Sequence, residues 1–167
     1  MLEEFMGLPA HPLLLHAAVI FIPLLALLAV AYALVPVIRP HVRWVLGVLA
    51  LVTPVAALLT KLSGDAFFRR MQERGTVTPD FVPVIQNHQD LGTMTLVVTI
   101  VLGLVSLALA YFVAPRAAAM VTTAGGAGTS RTASLVLGAL AVLAAAVSLY
   151  YVVRTGDSGA KAVWTGQ

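Results

Sequence analysis

Four long stretches without a charged side chain dominate this chain and limit the folds open to it. With histidine set aside, they cover 5–38, 44–60, 91–115 and 132–153. Each can hold the ~20 apolar residues that cross the ~30 Å hydrocarbon layer of a membrane as a helix. Hydrophobic residues make up 60% of the 167-residue chain and charged residues 10%, too apolar a balance for a soluble domain of this length. The sequence therefore predicts an all-α integral membrane protein.

We predict a single membrane domain over 1–167, built as a four-transmembrane-helix bundle. Its spans are expected at about 12–37, 43–62, 89–113 and 132–153. The middle connection carries Phe67, Phe68 and Met71 at helical spacing with arginines between them. This pattern predicts a short interfacial helix in that connection. The connection from 115 to 131 is predicted to be a flexible loop, and no internal repeat stands out in the sequence.

Four spans place both termini on the same face of the membrane. That face carries His11, His16, Asp65, His88 and Asp157. The opposite face carries Arg39, Arg43, Arg116 and Arg131 and no acidic residue. Arginines dense at helix ends favour the cytoplasmic side. We therefore predict a multi-pass protein of a bacterial plasma membrane, with its termini and this His/Asp cluster on the extracytoplasmic face.

The histidines are the most informative polar residues, because titratable groups at membrane depth are costly and usually have a function. His16 lies about one helical turn, roughly 6 Å, deeper than His11. It is the histidine expected inside an apolar helix. One interpretation is structural: His16 hydrogen-bonds Asp65, Asn87 or a backbone carbonyl and locks the end of the bundle.

Two cofactor hypotheses compete with the structural one. The first is a b-type haem held by His16 and His88, against which the unequal depth of the two residues argues. The second is a divalent metal ion bound by His11, His16, Asp65 and His88, although these ligands follow no compact motif. A metal-dependent membrane enzyme is a third interpretation. No catalytic residue stands out, so we expect a protein that is not an enzyme.

Other features of the composition exclude whole classes of site. The chain has no cysteine, which removes disulfides, thiolate metal sites and covalent haem attachment. Its net charge of +3 comes from few residues without a basic run, so we expect no nucleic-acid partner. The start of the chain is acidic and its apolar run is too long for a signal peptide. We therefore expect the first span to be retained.

Several short motifs together resemble one family. They are the segment GLPAHP at 7–12 with His16, the segment Ser63-Gly64-Asp65, His88 followed by Leu91-Gly92, and GDSGAKAVW at 156–164. In these the chain is similar to the predicted membrane proteins of domain of unknown function 2231 (DUF2231), and its alanine-rich style is similar to actinobacterial members. The resemblance covers nearly the whole chain.

The resemblance implies a membrane protein without a settled activity, whose motifs fall on His11, His16, Asp65, His88 and Asp157. Some relatives are joined to Rieske iron–sulfur domains, which implies a redox or respiratory setting. This chain has no cysteine from which such a centre is usually built. We therefore expect an accessory or redox-associated subunit, with the lipid bilayer and other membrane or respiratory subunits as partners.

Overall fold

Four long helices form almost all of the described chain. The structure is a computed structural model that describes residues 4–113 and 131–164. A short antiparallel pair, β1 (Glu4–Phe5) and β2 (Leu8–Pro9), precedes the helices. The helices are α1 (Ala10–Leu34), α2 (Arg39–Glu73), α3 (Val82–Phe112) and α4 (Arg131–Trp164). Each lies in a segment long and apolar enough to span a membrane, which confirms the predicted all-α membrane fold.

Prolines and one glycine set the ends of the two central helices. The turns Pro36–Ile38 and Pro79–Phe81 lead into α2 and α3, and each of these helices has a proline in its first turn. A proline is tolerated there because the first backbone N–H groups of a helix need no partner within it. The helix α2 ends where Gly75 takes a left-handed φ of 63° and its N–H bonds the carbonyl of Gln72.

The prediction of a separate interfacial helix in the middle connection is wrong, because those residues continue α2 without a break to Glu73. The Ser63-Gly64 pair does not end the helix, since a glycine inside a helix costs only about 1 kcal/mol. Helices α2, α3 and α4 all extend beyond the predicted spans at the end that carries Asp65 and His88. Where the membrane begins and ends along them stays a prediction. The loop predicted at 115–131 falls almost entirely outside the described residues, as does Arg116.

The helices form a closed ring in the order α1, α2, α3, α4. Each packs along two neighbours, whereas the diagonal pair α1 and α3 meets at only a few positions. The larger buried cluster includes Leu25, Tyr32, Leu46, Leu102 and Leu109, and a smaller one is formed by Ala18, Ile22, Ala57 and Val152. The smaller cluster lies below the bundle end where α1 and α3 begin and α2 and α4 finish.

Candidate functional site

A cavity of about 690 Å³ occupies that end of the bundle. Most of its wall is apolar, and all four helices contribute to it. Its large apolar side chains include Leu15, Ile22, Phe67, Phe68, Phe81, Leu96, Val152 and Val163. Two histidines, His11 and His88, line the cavity as well. All four helices therefore meet around a space large enough for a ligand.

His11 lies in the first turn of α1 and is held by the end of α2. Its Nδ1 is 3.1 Å from the carbonyl oxygen of Thr60 and 3.3 Å from Oγ of Ser63. A carbonyl can only accept, so Nδ1 carries the proton and donates to Thr60. In a neutral imidazole the other nitrogen, Nε2, then has a free lone pair.

His88 lies in α3 and is held in the same way by α4. Its Nδ1 is 2.9 Å from Oγ of Ser158, and that hydroxyl donates to the carbonyl of Thr155 at 2.9 Å. Because the hydroxyl hydrogen is used, Nδ1 of His88 must donate to Ser158. His88 therefore has the same tautomer as His11, with Nε2 unprotonated.

The two imidazole rings face each other across the bundle. Their centres are 6.3 Å apart and their planes are inclined by 77°. Within residues 4–113 and 131–164, the structure records no hydrogen bond to either Nε2. Two imidazoles, each with an unprotonated Nε2, therefore lie close together and nearly perpendicular in an apolar cavity.

Each ring also lies against a glycine of the helix that holds it. A Cβ added to Gly64 would be 3.0 Å from Cε1 of His11, and one added to Gly159 would be 2.9 Å from Cε1 of His88. Both distances are shorter than ordinary van der Waals contact. Glycine at these positions therefore lets each ring approach the helix backbone.

The two halves of the site repeat each other in sequence. Helix α2 carries T-x-x-S-G from Thr60 to Gly64, and α4 carries it from Thr155 to Gly159, 95 residues later. His11 and His88 are 77 residues apart. The hairpins α1–α2 and α3–α4 are thus related by a pseudo-twofold axis along the bundle. Sequence reasoning missed the contacts of Thr60, Ser63, Thr155 and Ser158, although this repeated motif was the signal for them.

Burial follows the same relation along the helices. The shift of 77 residues maps buried positions 18, 22, 25, 26, 29 and 32 of α1 onto buried positions 95, 99, 102, 103, 106 and 109 of α3. The shift of 95 residues maps buried positions 46, 50, 53 and 57 of α2 onto 141, 145, 148 and 152, which are buried in α4. The pseudo-twofold relation therefore extends from the site into the core.

His16 takes no part in this arrangement. It is exposed, and its Nδ1 lies 2.6 Å from the carbonyl of Pro12 in its own helix. Five residues turn an α-helix by about 140°, so His16 faces away from the side that carries His11. A backbone carbonyl is one of the partners predicted for His16, but this carbonyl belongs to its own helix, so the bond does not join α1 to another helix.

The acidic residues predicted for the site lie in different places. Asp65 lines the cavity, where it pairs with Lys61 and accepts a hydrogen bond of 2.9 Å from the side-chain amide of Gln89. Asp157 is exposed, pairs with Lys161 at 2.8 Å and does not line the cavity. In the described part of the chain, no group of three or more acidic and histidine side chains could hold a metal ion. The predicted set of His11, His16, Asp65 and His88 thus does not assemble there.

Comparison with known families gives one result. The model of the family described as predicted membrane protein (DUF2231) matches residues 7–167, and the chain therefore belongs to that family. Neither a curated protein nor a solved structure gives a significant match. The family description supports a membrane protein and carries no activity.

Proposed function

We propose that this DUF2231 protein is a membrane cytochrome that holds one b-type haem between His11 and His88. The observation that carries the proposal is the ring pair. Two imidazoles bound on opposite sides of one metal ion, with metal–nitrogen bonds of ~2.0–2.1 Å, have ring centres about 6 Å apart. The 6.3 Å between the centres of His11 and His88 fits that arrangement. His11 takes the place of His16 in the haem hypothesis drawn from the sequence.

The hydrogen bonds of both histidines support ligation through Nε2. Histidines that bind metals usually donate their other ring N–H to a carbonyl, a carboxylate or another fixed acceptor, which sets the tautomer and the ring orientation. Thr60 serves His11 in this way and Ser158 serves His88. Both rings are thus oriented by the protein itself, and neither depends on a ligand for its position.

The ligand count favours haem over a bare metal ion. A zinc site takes about four protein ligands, whereas a porphyrin supplies the equatorial nitrogens and leaves only two axial positions to the protein. The cavity offers two imidazoles in an apolar space of about 690 Å³, within the usual ~300–1,000 Å³ of a cofactor site. Without cysteine the group would be held by ligation and packing alone.

Two histidine ligands favour electron transfer over chemistry on a substrate. Held by His11 and His88, haem would supply a one-electron couple. The protein's part is to hold the two imidazoles, exclude water with apolar side chains and fix both Nδ1 protons. This assigns the chain to a redox-associated membrane subunit that is not itself an enzyme.

The experiment is the optical spectrum of the purified protein after reconstitution with hemin. We expect a Soret band that shifts on dithionite reduction, at one haem per chain. His11→Ala and His88→Ala should each lose the low-spin spectrum, while His16→Ala, the matched control on the outer face of α1, should keep it. Equal haem content in wild type and in the double variant His11→Ala/His88→Ala would overturn the proposal.

The face of the membrane that carries the site is a further part of the proposal. We place it on the extracytoplasmic side, because Arg39, Arg43 and Arg131 lie at the opposite helix ends. Single cysteines introduced at the exposed positions Asp157 and His41 test this, since the native chain has no thiol. A membrane-impermeant maleimide applied to intact cells should label the first and spare the second, and the reverse result would invert the orientation.

A further inference from the structure

Three hydroxyl groups in the middle of the bundle have no partner recorded among residues 4–113 and 131–164. They are Oγ1 of Thr53 on α2 and, on α3, Oγ1 of Thr99 and Oγ of Ser106. All three side chains are fully buried, with 0% of their surface exposed. A buried hydroxyl without a hydrogen bond costs free energy, so such groups in proteins almost always have a partner, often an internal water molecule.

Other threonines of the same two helices make a local hydrogen bond that these hydroxyls lack. Thr60 donates to the carbonyl of Ala56, Thr93 to that of Gln89 and Thr95 to that of Leu91, each four residues earlier. This local bond is the usual way to satisfy a hydroxyl in a membrane helix. The hydroxyls of Thr53 and Thr99 make no such bond and remain open to another partner.

The α2–α3 interface also holds a carbonyl that lacks its usual helical bond at this level. Pro54 has no N–H, so the carbonyl of Ala50 cannot accept the usual helical bond from position 54. Gly103 of α3 packs against this carbonyl, since an added Cβ would be 2.8 Å from its oxygen. Thr53 follows Ala50 by one turn on α2, while Thr99 and Ser106 flank Gly103 on α3. All three hydroxyls thus lie within about one helical turn of the same contact, measured along α2 and α3.

We propose that this contact is an internal hydration site, in which Thr53, Thr99, Ser106 and the Ala50 carbonyl bind water. An internal water molecule needs two to four polar partners, and these groups supply them. Thr99 and Ser106 are seven residues apart, about 10 Å along the helix, so one water cannot serve both. A cation does not suit the site, because 44–60 and 91–115 contain no acidic residue to balance its charge.

The site is independent of any ligand in the cavity. Thr99 is eleven residues beyond His88 and therefore lies about 16 Å deeper in the bundle. Internal water at that depth would hydrate a core made largely of apolar side chains.

The test combines isosteric variants with a high-resolution structure in a lipid phase. Water should be seen within hydrogen-bond distance of Thr99 and at least one of the other three groups. Thr99→Val should lower the midpoint of thermal unfolding in detergent by about 2–4 °C, because a bound water loses a partner. Thr93→Val, whose hydroxyl is exposed, is the matched control and should leave the midpoint unchanged.

If the site holds no water, the change in the midpoint of thermal unfolding should have the opposite sign. Removing an unsatisfied hydroxyl from a dry core should raise the midpoint for Thr99→Val and for Thr53→Val. A raised or unchanged midpoint in both, or an empty density at the contact, overturns the proposal. Density for an ion with short oxygen contacts, or a midpoint that rises with sodium concentration, would also overturn it in favour of a cation.

Discussion

The half-site on α1–α2 and the half-site on α3–α4 share the parts that hold a histidine and differ in what surrounds them. Each pairs a histidine with T-x-x-S-G of the following helix. Lys61 and Asp65 on α2 correspond, by the shift of 95 residues, to Gly156 and Ala160 on α4. All four of these residues line the cavity. The shared positions orient two rings alike, and the unequal positions give the cavity one polar side and one small, apolar side.

The glycines beneath the rings give the largest expected effect on the shared part. Gly159→Ala and Gly64→Ala should each destabilise the protein by about 1–3 kcal/mol, because the new methyl group overlaps an imidazole that is hydrogen-bonded in place. Gly156→Ala is the control, since nothing lies within 4 Å of its added Cβ. Thermal unfolding in detergent measures all three. If Gly156→Ala costs as much as Gly159→Ala, the loss reflects helix geometry and not the ring contact.

The unequal part is tested at the two acidic residues. Asp65→Asn should cost about 1.5 kcal/mol, because it removes a partly buried ion pair with Lys61 beside the cavity. Asp157→Asn should cost about 0.3–0.5 kcal/mol, since its pair with Lys161 is an exposed pair one turn apart. Urea or thermal unfolding in mild detergent distinguishes these values. Equal costs would show that Asp65 contributes nothing beyond a surface charge.

The serines of the two T-x-x-S-G motifs, Ser63 and Ser158, allow the stability of the two histidine positions to be compared. Ser158→Ala should cost about 1 kcal/mol, because Nδ1 of His88 loses its 2.9 Å bond to the hydroxyl and keeps only a weaker contact with the carbonyl of Thr155. Ser63→Ala should cost less, since His11 keeps its bond to the carbonyl of Thr60. The reconstituted proteins should follow the same order in haem retention during dilution. A larger loss of stability in Ser63→Ala than in Ser158→Ala would mean that the hydroxyl of Ser63, and not the carbonyl of Thr60, holds His11.

The smallest effect is expected at the pair outside the site. His16 corresponds to Thr93 by the shift of 77 residues, and both are exposed and bonded to a carbonyl four residues earlier. His16→Ala and Thr93→Ala should each change the free energy of unfolding by less than about 0.5 kcal/mol. A large loss of stability in His16→Ala, without one in Thr93→Ala, would indicate that His16 has a structural role that its bond to Pro12 does not explain.

The sequence was sufficient for the four helices and for the end of the bundle that carries the site. Both follow from the uncharged stretches and from the alternation of helix direction, so the meeting of His11, Asp65 and His88 near one end needed no tertiary information. The continuation of α2 past Gly64 could not be foreseen. Whether a glycine ends a helix depends on what packs against it, and here that is the ring of His11.

The choice between His11 and His16 also lay beyond the sequence. Depth in the membrane favoured His16, but the decisive quantity is the rotation of α1 about its own axis, which packing against α2 and α4 sets. The repeated T-x-x-S-G is present in the sequence at 60–64 and 155–159. A five-residue motif seen twice gains meaning only when each copy is known to face a histidine.

The pseudo-twofold relation also determines how a planar ligand without twofold symmetry would bind between the two imidazole rings. Rotating such a molecule by half a turn about the bundle axis returns the same two imidazoles, the same two carbonyls and the same two glycines to it. The two poses differ in their contacts with Lys61 and Asp65 against Gly156 and Ala160, and with Phe67 against Ala162. The population ratio of these orientational isomers is therefore governed by a few side chains at the rim, whereas the total affinity is governed by the repeated ones.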